Sequence, residues 1–186
     1  MAQQSVCPVA LSGVFASGLR RLIHNPEKIL APWVGEGNTV LEVGCGPGFF
    51  TLELARLVGP SGRVVAVDVQ QGMLDKVAQR LAGTDMARRV TLRRCAPDRL
   101  DVEGPFDFVL LFYMAHEVAD IARFFRELRG VVSSEASVLL VEPPIHVSKA
   151  DFAKECAAAE AADFAVYERL GWWPEKAVLL APVSTG

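Results

Sequence analysis

Glu42 stands in an apolar run, VLEV, and three glycines follow it at once, Gly44, Gly46 and Gly48 in GCGPG. About two dozen residues on, a second apolar run, VVAVD, closes on Asp68. Glycine admits positive φ and lets a ligand touch the main chain. A turn of this kind between a strand and a helix offers free N–H groups and the positive end of the helix dipole. A carboxylate closing the next strand can accept both hydroxyls of a ribose, and the adjacent Val69 can lie against an adenine face. Tight packing would explain the glycines alone. With Asp68 added, the pattern points to an adenosine-containing ligand.

Charge discriminates among such ligands. A dinucleotide turn reads G-x-G-x-x-G, its last glycine allowing close helix–strand packing. Counted from Gly44, the sixth position is Phe49, and Pro47 lacks an N–H that a pyrophosphate would use. Glu42 would repel a diphosphate but suits an ammonium group. S-adenosyl-L-methionine has that ammonium, a carboxylate for backbone amides, a ribose for Asp68 and no phosphate. The residues favour this methyl donor. An NAD(P)-dependent Rossmann oxidoreductase is the alternative, and a catalytically silent donor-binding or assembly protein is a third class.

The elements that must position these residues alternate along the chain. Short apolar runs at Thr39–Val43, Val64–Asp68, Val90–Cys95, Phe106–Phe112, Ser137–Glu142, Ala165–Leu170 and Ala177–Leu180 read as strands. Several have almost no polar alternation, as expected where both sheet faces are covered. Amphipathic stretches at Gly48–Val58, Gln71–Leu81 and Val118–Val132 read as helices. Ser148-x-x-Asp151 precedes an alanine-rich helix to about Ala162, and Asn25-Pro26 marks a further helix start. The last two strands, joined around Pro174, are placed to pair antiparallel. The expectation is an α/β fold: a Rossmann-like, seven-stranded, mostly parallel sheet with an antiparallel last strand and helices on both faces. It forms one domain overall, with residues 1–38 a helical extension covering the donor pocket and 39–186 the core.

VLEVGCGPG, VVAVD and FDFVLLFYMAHEV, in this order and spacing, resemble the successive motifs of class I S-adenosylmethionine-dependent methyltransferases. The resemblance runs from about Asn25 to the C-terminus and is closest to small single-domain enzymes of the ubiquinone/menaquinone type. It implies that Glu42 and the turn of Gly44, Cys45, Gly46 and Gly48 hold the methionine part, and that Asp68 holds the ribose. It also implies that Cys95, Ala96 and Pro97 meet the adenine, while Phe112, Tyr113 and Met114 line the pocket mouth. Family members often have an acidic residue where Cys95 stands. A thiol replaces it poorly, so adenine recognition here would rely on main-chain groups. The product would be S-adenosyl-L-homocysteine.

The sulfonium methyl is already activated, so a methyltransferase mainly aligns donor and nucleophile and excludes water. His116 is the candidate catalytic residue: a neutral imidazole takes a proton from a phenol, an acidic carbon or a thiol as the methyl arrives. Its alternative role is to cap or orient the following helix, and Glu117 beside it reads as structural. His24 and His146 are further candidates, each with an ordinary surface role as the alternative. Phe15, Phe49, Phe50, Phe112 and Tyr113 can build an apolar acceptor pocket or simply pack. The pair Trp172-Trp173, if exposed, would mark a homodimer or partner surface. The short connection after the fifth strand leaves little room for a lid, which favours a small-molecule acceptor.

Composition narrows the partners. The net charge of −3 argues against an electrostatic nucleic-acid binder, and the pairs Arg20-Arg21, Arg88-Arg89 and Arg93-Arg94 read as solvated surface. Cys7, Cys45, Cys95 and Cys156 show no C-x-x-C pairing, so neither a metal site nor a disulfide framework is expected. The longest apolar run, Phe106 to Ala115, is too short to span a bilayer. A cytoplasmic protein is expected.

Overall fold

The computed structural model describes residues 24–172 and 174–183. Arg20-Arg21, Cys7, Phe15, Trp173 and most of the proposed N-terminal extension lie outside these residues. Seven strands form one sheet in the order β3-β2-β1-β4-β5-β7-β6. They divide between two compact units, one ending at Arg94 and the other beginning at Cys95.

In the first unit, Asn25 caps the short helix α1 (Pro26–Leu30), its Oδ1 accepting from the Lys28 N–H at 3.2 Å with Pro26 in the first turn. Strands β1 (Thr39–Val43), β2 (Arg63–Asp68) and β3 (Val90–Arg94) follow, joined by helices α2 (Thr51–Leu57) and α3 (Gln71–Leu81) and a 3-10 turn at Asp85–Arg89. All pairings are parallel: Glu42 lies opposite Ala66, and Asp68 opposite Arg94. Helix α3 buries Met73, Leu74, Val77 and Leu81, one stripe at helical spacing. Leu74, Val77 and Leu81 of that stripe pack with Cys45 and Ala66. Helix α2 starts at Thr51 rather than the expected Gly48, because residues 46–50 are spent in the turn itself.

In the second unit, β4 (Phe106–Phe112) pairs parallel with the long β5 (Val132–Glu142). β5 pairs antiparallel with β7 (Lys176–Pro182), which pairs antiparallel with β6 (Phe164–Leu170). Helix α4 covers Ile121–Arg129, shorter at both ends than the expected Val118–Val132. Asp120 caps its start by accepting from the Arg123 N–H, and Gly130 ends it, which frees Val132 to open β5. Helix α5 (Lys149–Glu160) begins at Ser148, whose hydroxyl accepts from the Asp151 N–H, as the sequence predicts. Phe106, Phe108, Phe125 and Phe164 are fully buried here, each contributing about 1.5–3 kcal/mol by leaving water.

Candidate functional site

The glycine turn grows directly out of β1. The N–H groups of Gly44 and Cys45 both donate to the Val67 carbonyl, at 2.9 and 3.0 Å, which pins the turn to β2. Gly44, Gly46 and Gly48 all have positive φ, 71°, 52° and 80°, a region that side chains rarely tolerate. At Gly48 the space is also tight, since a Cβ would lie 3.0 Å from a Val77 methyl of α3. At Gly46 the reverse holds: among the described residues nothing stands within 4 Å of where a Cβ would point. The turn is thus packed tightly on one side and open at its middle glycine. Cys45 contributes main chain to the turn while its side chain fills the core beneath.

Two carboxyls face this turn from neighbouring strands. Asp68 accepts from the Gly46 N–H through Oδ2 and from the Gln70 N–H through Oδ1, each at 2.9 Å. A carboxylate has about four acceptor positions, so capacity remains for hydroxyl donors. Burial raises its pKa, and the backbone donors oppose that rise. Val69 is half-buried, and its carbonyl accepts from Arg94 Nε at 3.1 Å.

Glu42 is buried at 3% exposure. Its Oε2 accepts from the Thr51 hydroxyl at 2.6 Å, and among the described residues no donor reaches Oε1. Burial pushes its carboxyl up to about 8; the Thr51 bond opposes this, and the Asp68 charge adds to it. A buried acid in that state is an anion short of its cation. Arg80 of α3 supplies part of the balance, but its guanidinium is committed to the turn, donating to the carbonyls of Pro47 and Gly48 at 2.8 and 2.7 Å.

The second unit holds the histidine. Tyr113, directly after β4, takes φ 62°, a left-handed conformation costly for an aromatic residue. Its N–H donates to the Val141 carbonyl at 2.8 Å and its hydroxyl to Glu175 at 3.1 Å. This bend leads into a 3-10 turn at Ala115–Glu117 that sets His116 against the end of β5. There the His116 N–H donates to Glu142 Oε1 at 3.2 Å, and Nδ1 lies 2.5 Å from Oε2. Glu142 is completely buried, whereas the His116 side chain keeps 26% of its surface exposed. The hydrogen bond from Glu142 raises the imidazole pKa above its ordinary 6.5, against the effect of burial.

The structure brings Glu42, Gly44, Cys45, Gly46, Gly48 and Asp68 into one constellation, and it adds Thr51 and Arg80, which the sequence analysis passed over. It joins His116 to Glu142, also passed over. Cys95 is half-buried, and Ala96 bridges to Arg99. His146 is exposed on the six-residue connection 143–148, and His24 is half-buried just before α1. Glu117 is exposed and Trp172 half-buried. Thr51 and Arg80 carry no sequence signal of their own. Glu142 does: it is a charged residue closing a strand otherwise buried throughout its last half.

A family model described as a methyltransferase domain matches residues 40–135. The chain belongs to the class I S-adenosylmethionine-dependent methyltransferases. Within that class it is distantly related to quinone methyltransferases. It is 31% identical over 136 residues to a demethylmenaquinone methyltransferase of Symbiobacterium thermophilum, covering 72% of this chain and 53% of that one. It is 29% identical over 124 residues to the ubiquinone/menaquinone biosynthesis C-methyltransferase UbiE of Geobacter sulfurreducens, covering 66% and 48%. The chain therefore spans about half the length of these relatives. A crystal structure of a SAM dependent methyltransferase from Aquifex aeolicus matches with a TM-score of 0.84 at 23% identity, over 96% of this chain and all of that one, a likeness of fold. Membership implies S-adenosylmethionine as cofactor and sets the nicotinamide alternative aside. Among the described residues no helix is long and apolar enough to cross a membrane, and no cluster of three or more His, Cys, Asp or Glu is placed to hold a metal ion.

Proposed function

We propose that the protein transfers the methyl group of S-adenosylmethionine to a small organic acceptor bearing an acidic O–H or C–H, by direct in-line displacement. The observation that carries the donor reading is Glu42: a buried carboxyl, pushed up to about 8 by that burial, in the strand that leads into the glycine turn. Glu42 would take the donor's ammonium, the Gly44–Gly48 turn its carboxylate, and Asp68 its ribose hydroxyls. The bound donor supplies an activated methyl on a sulfonium. His116 accepts the acceptor's proton at Nε2, which keeps no hydrogen bond among the described residues, while Nδ1 is held by Glu142.

A small acceptor is supported by the short connection 143–148, which offers little to cover a large one. The net charge of −3 speaks against nucleic acid, and the names of the relatives speak for a quinone-like ring. Tyr113, Cys95 and Ala96 are proposed donor contacts. Methyl transfer from labelled donor to a panel of phenols, quinols and thiols tests the reading. Donor binding with no product from any acceptor class would refute it.

A further inference from the structure

Glu142 is the last residue of β5, fully buried, and both of its oxygens meet the same residue. Oε1 accepts from the main-chain N–H of His116, and Oε2 faces Nδ1 of its ring. An ionised carboxylate can only accept, so Nδ1 must carry the hydrogen, and a neutral ring then has its lone pair on Nε2. We propose that Glu142 is a positioning residue: it fixes His116 as the Nδ1–H tautomer and so makes Nε2 the basic nitrogen. This rests on the reading of His116 as the base. In the proton transfer, the acceptor's bond to hydrogen breaks, Nε2–H forms, and the imidazolium charge falls beside the Glu142 carboxylate. The acceptor atom keeps the electron pair that makes it a nucleophile, and the proton later leaves Nε2 for solvent.

The surroundings make the arrangement specific. Glu155 of α5 is 6% exposed, and its Oε2 has no hydrogen-bond partner among the described residues. Burial raises its pKa to about 7; Glu142 and Asp151 push the same way, and His116 and Lys176 oppose. The groups whose charge acts on His116 are thus Glu142 of β5, Glu117 of its own turn and Glu155 of α5, all favouring the imidazolium.

Glutamine at 142 has one acceptor where glutamate has two. If its oxygen keeps the backbone N–H, its NH2 faces Nδ1 and forces the other tautomer. If it keeps Nδ1–H, two donors collide at the main chain.

The test is a long-range proton–nitrogen NMR spectrum of the full chain labelled with 15N-histidine. The chain has three histidines, and His116 is assigned by loss of its signals in His116→Gln. Above its titration the wild-type ring should show the Nδ1–H pattern, with a midpoint above 6.5. Glu142→Gln should lose that pattern and move the midpoint to lower pH. Glu155→Gln should keep the pattern and move the midpoint down by less. An Nε2–H ring in the wild type overturns the proposal, as does an unchanged pattern and midpoint in Glu142→Gln, or a switch of tautomer in Glu155→Gln. The wild-type spectrum decides even if Glu142→Gln does not fold. Because the spectrum needs neither donor nor acceptor, absent methyl transfer with an intact Nδ1–H signature would count against the function alone.

Discussion

Glu42 and Glu142 are both glutamates buried within a β-strand, and they solve the same electrostatic problem in opposite ways. Glu142 has its hydrogen-bond donors built in: one oxygen meets the His116 ring, and the other meets the same residue's main chain. Among the described residues Glu42 has only the neutral Thr51 hydroxyl as a hydrogen-bond donor, and the Arg80 guanidinium donates to two carbonyls of the turn. Burial without a counter-charge favours the protonated acid. The difference separates a carboxylate already held by a neighbouring side chain from one that, in the proposed function, takes its counter-ion from the donor.

Substitutions can break this contrast from either side. The largest effect is expected at His116→Ala, where turnover should fall about 10²–10⁴-fold while donor affinity stays nearly constant; steady-state kinetics with calorimetry would separate the two. Asp68→Ala removes a carboxylate that takes two N–H bonds and leaves the Gly46 N–H without its acceptor. Charged hydrogen bonds are worth about 1.5–3 kcal/mol each, so donor affinity should drop about 100-fold, with turnover at saturating donor much less affected.

Glu42→Gln sharpens the comparison through pH. A carboxyl with its pKa raised from 4.5 to about 8 keeps in the folded state a proton that the unfolded chain has lost. Its contribution to stability is therefore greatest at low pH and declines as pH climbs through that window. Relative to the wild type, Glu42→Gln should gain stability toward pH 8, by on the order of a few kcal/mol. Thermal melts at stepped pH would show it, and parallel curves for the two proteins would contradict it. The smallest effect belongs to Gly48→Ala. Its left-handed backbone and the Val77 methyl at 3.0 Å predict a loss of about 1–3 kcal/mol, measurable by urea unfolding.

Much of this architecture is legible in the residues themselves. Runs such as VVAVD and FDFVLLF are too continuously apolar for half-exposed strands, and strands lie at all seven expected places; β3 and β6 are largely exposed, and β5 starts at Val132 rather than the expected Ser137. Helix ends were harder, because Asp120 and Gly130 cap a shorter α4 than its apolar periodicity suggests. At the site, Glu42, the glycines and Asp68 are readable because their chemistry is local to two strand ends. Thr51 and Arg80 were not, since each acts across the fold, nine residues from Glu42 and more than thirty from the carbonyls it holds. Glu142 left a trace as a lone charge in a buried strand, but its partner lies 26 residues away.

The central claim, that Glu42 waits protonated for a donor's ammonium, is tested most directly by calorimetry of S-adenosylmethionine binding at pH 7 in buffers of differing ionisation enthalpy. With the carboxyl near 8 in the free protein, binding should expel its proton. The observed enthalpy should then track the buffer with a slope approaching a single proton released, and Glu42→Gln should abolish that slope. No binding at millimolar donor, or the same slope in both proteins, would contradict the account.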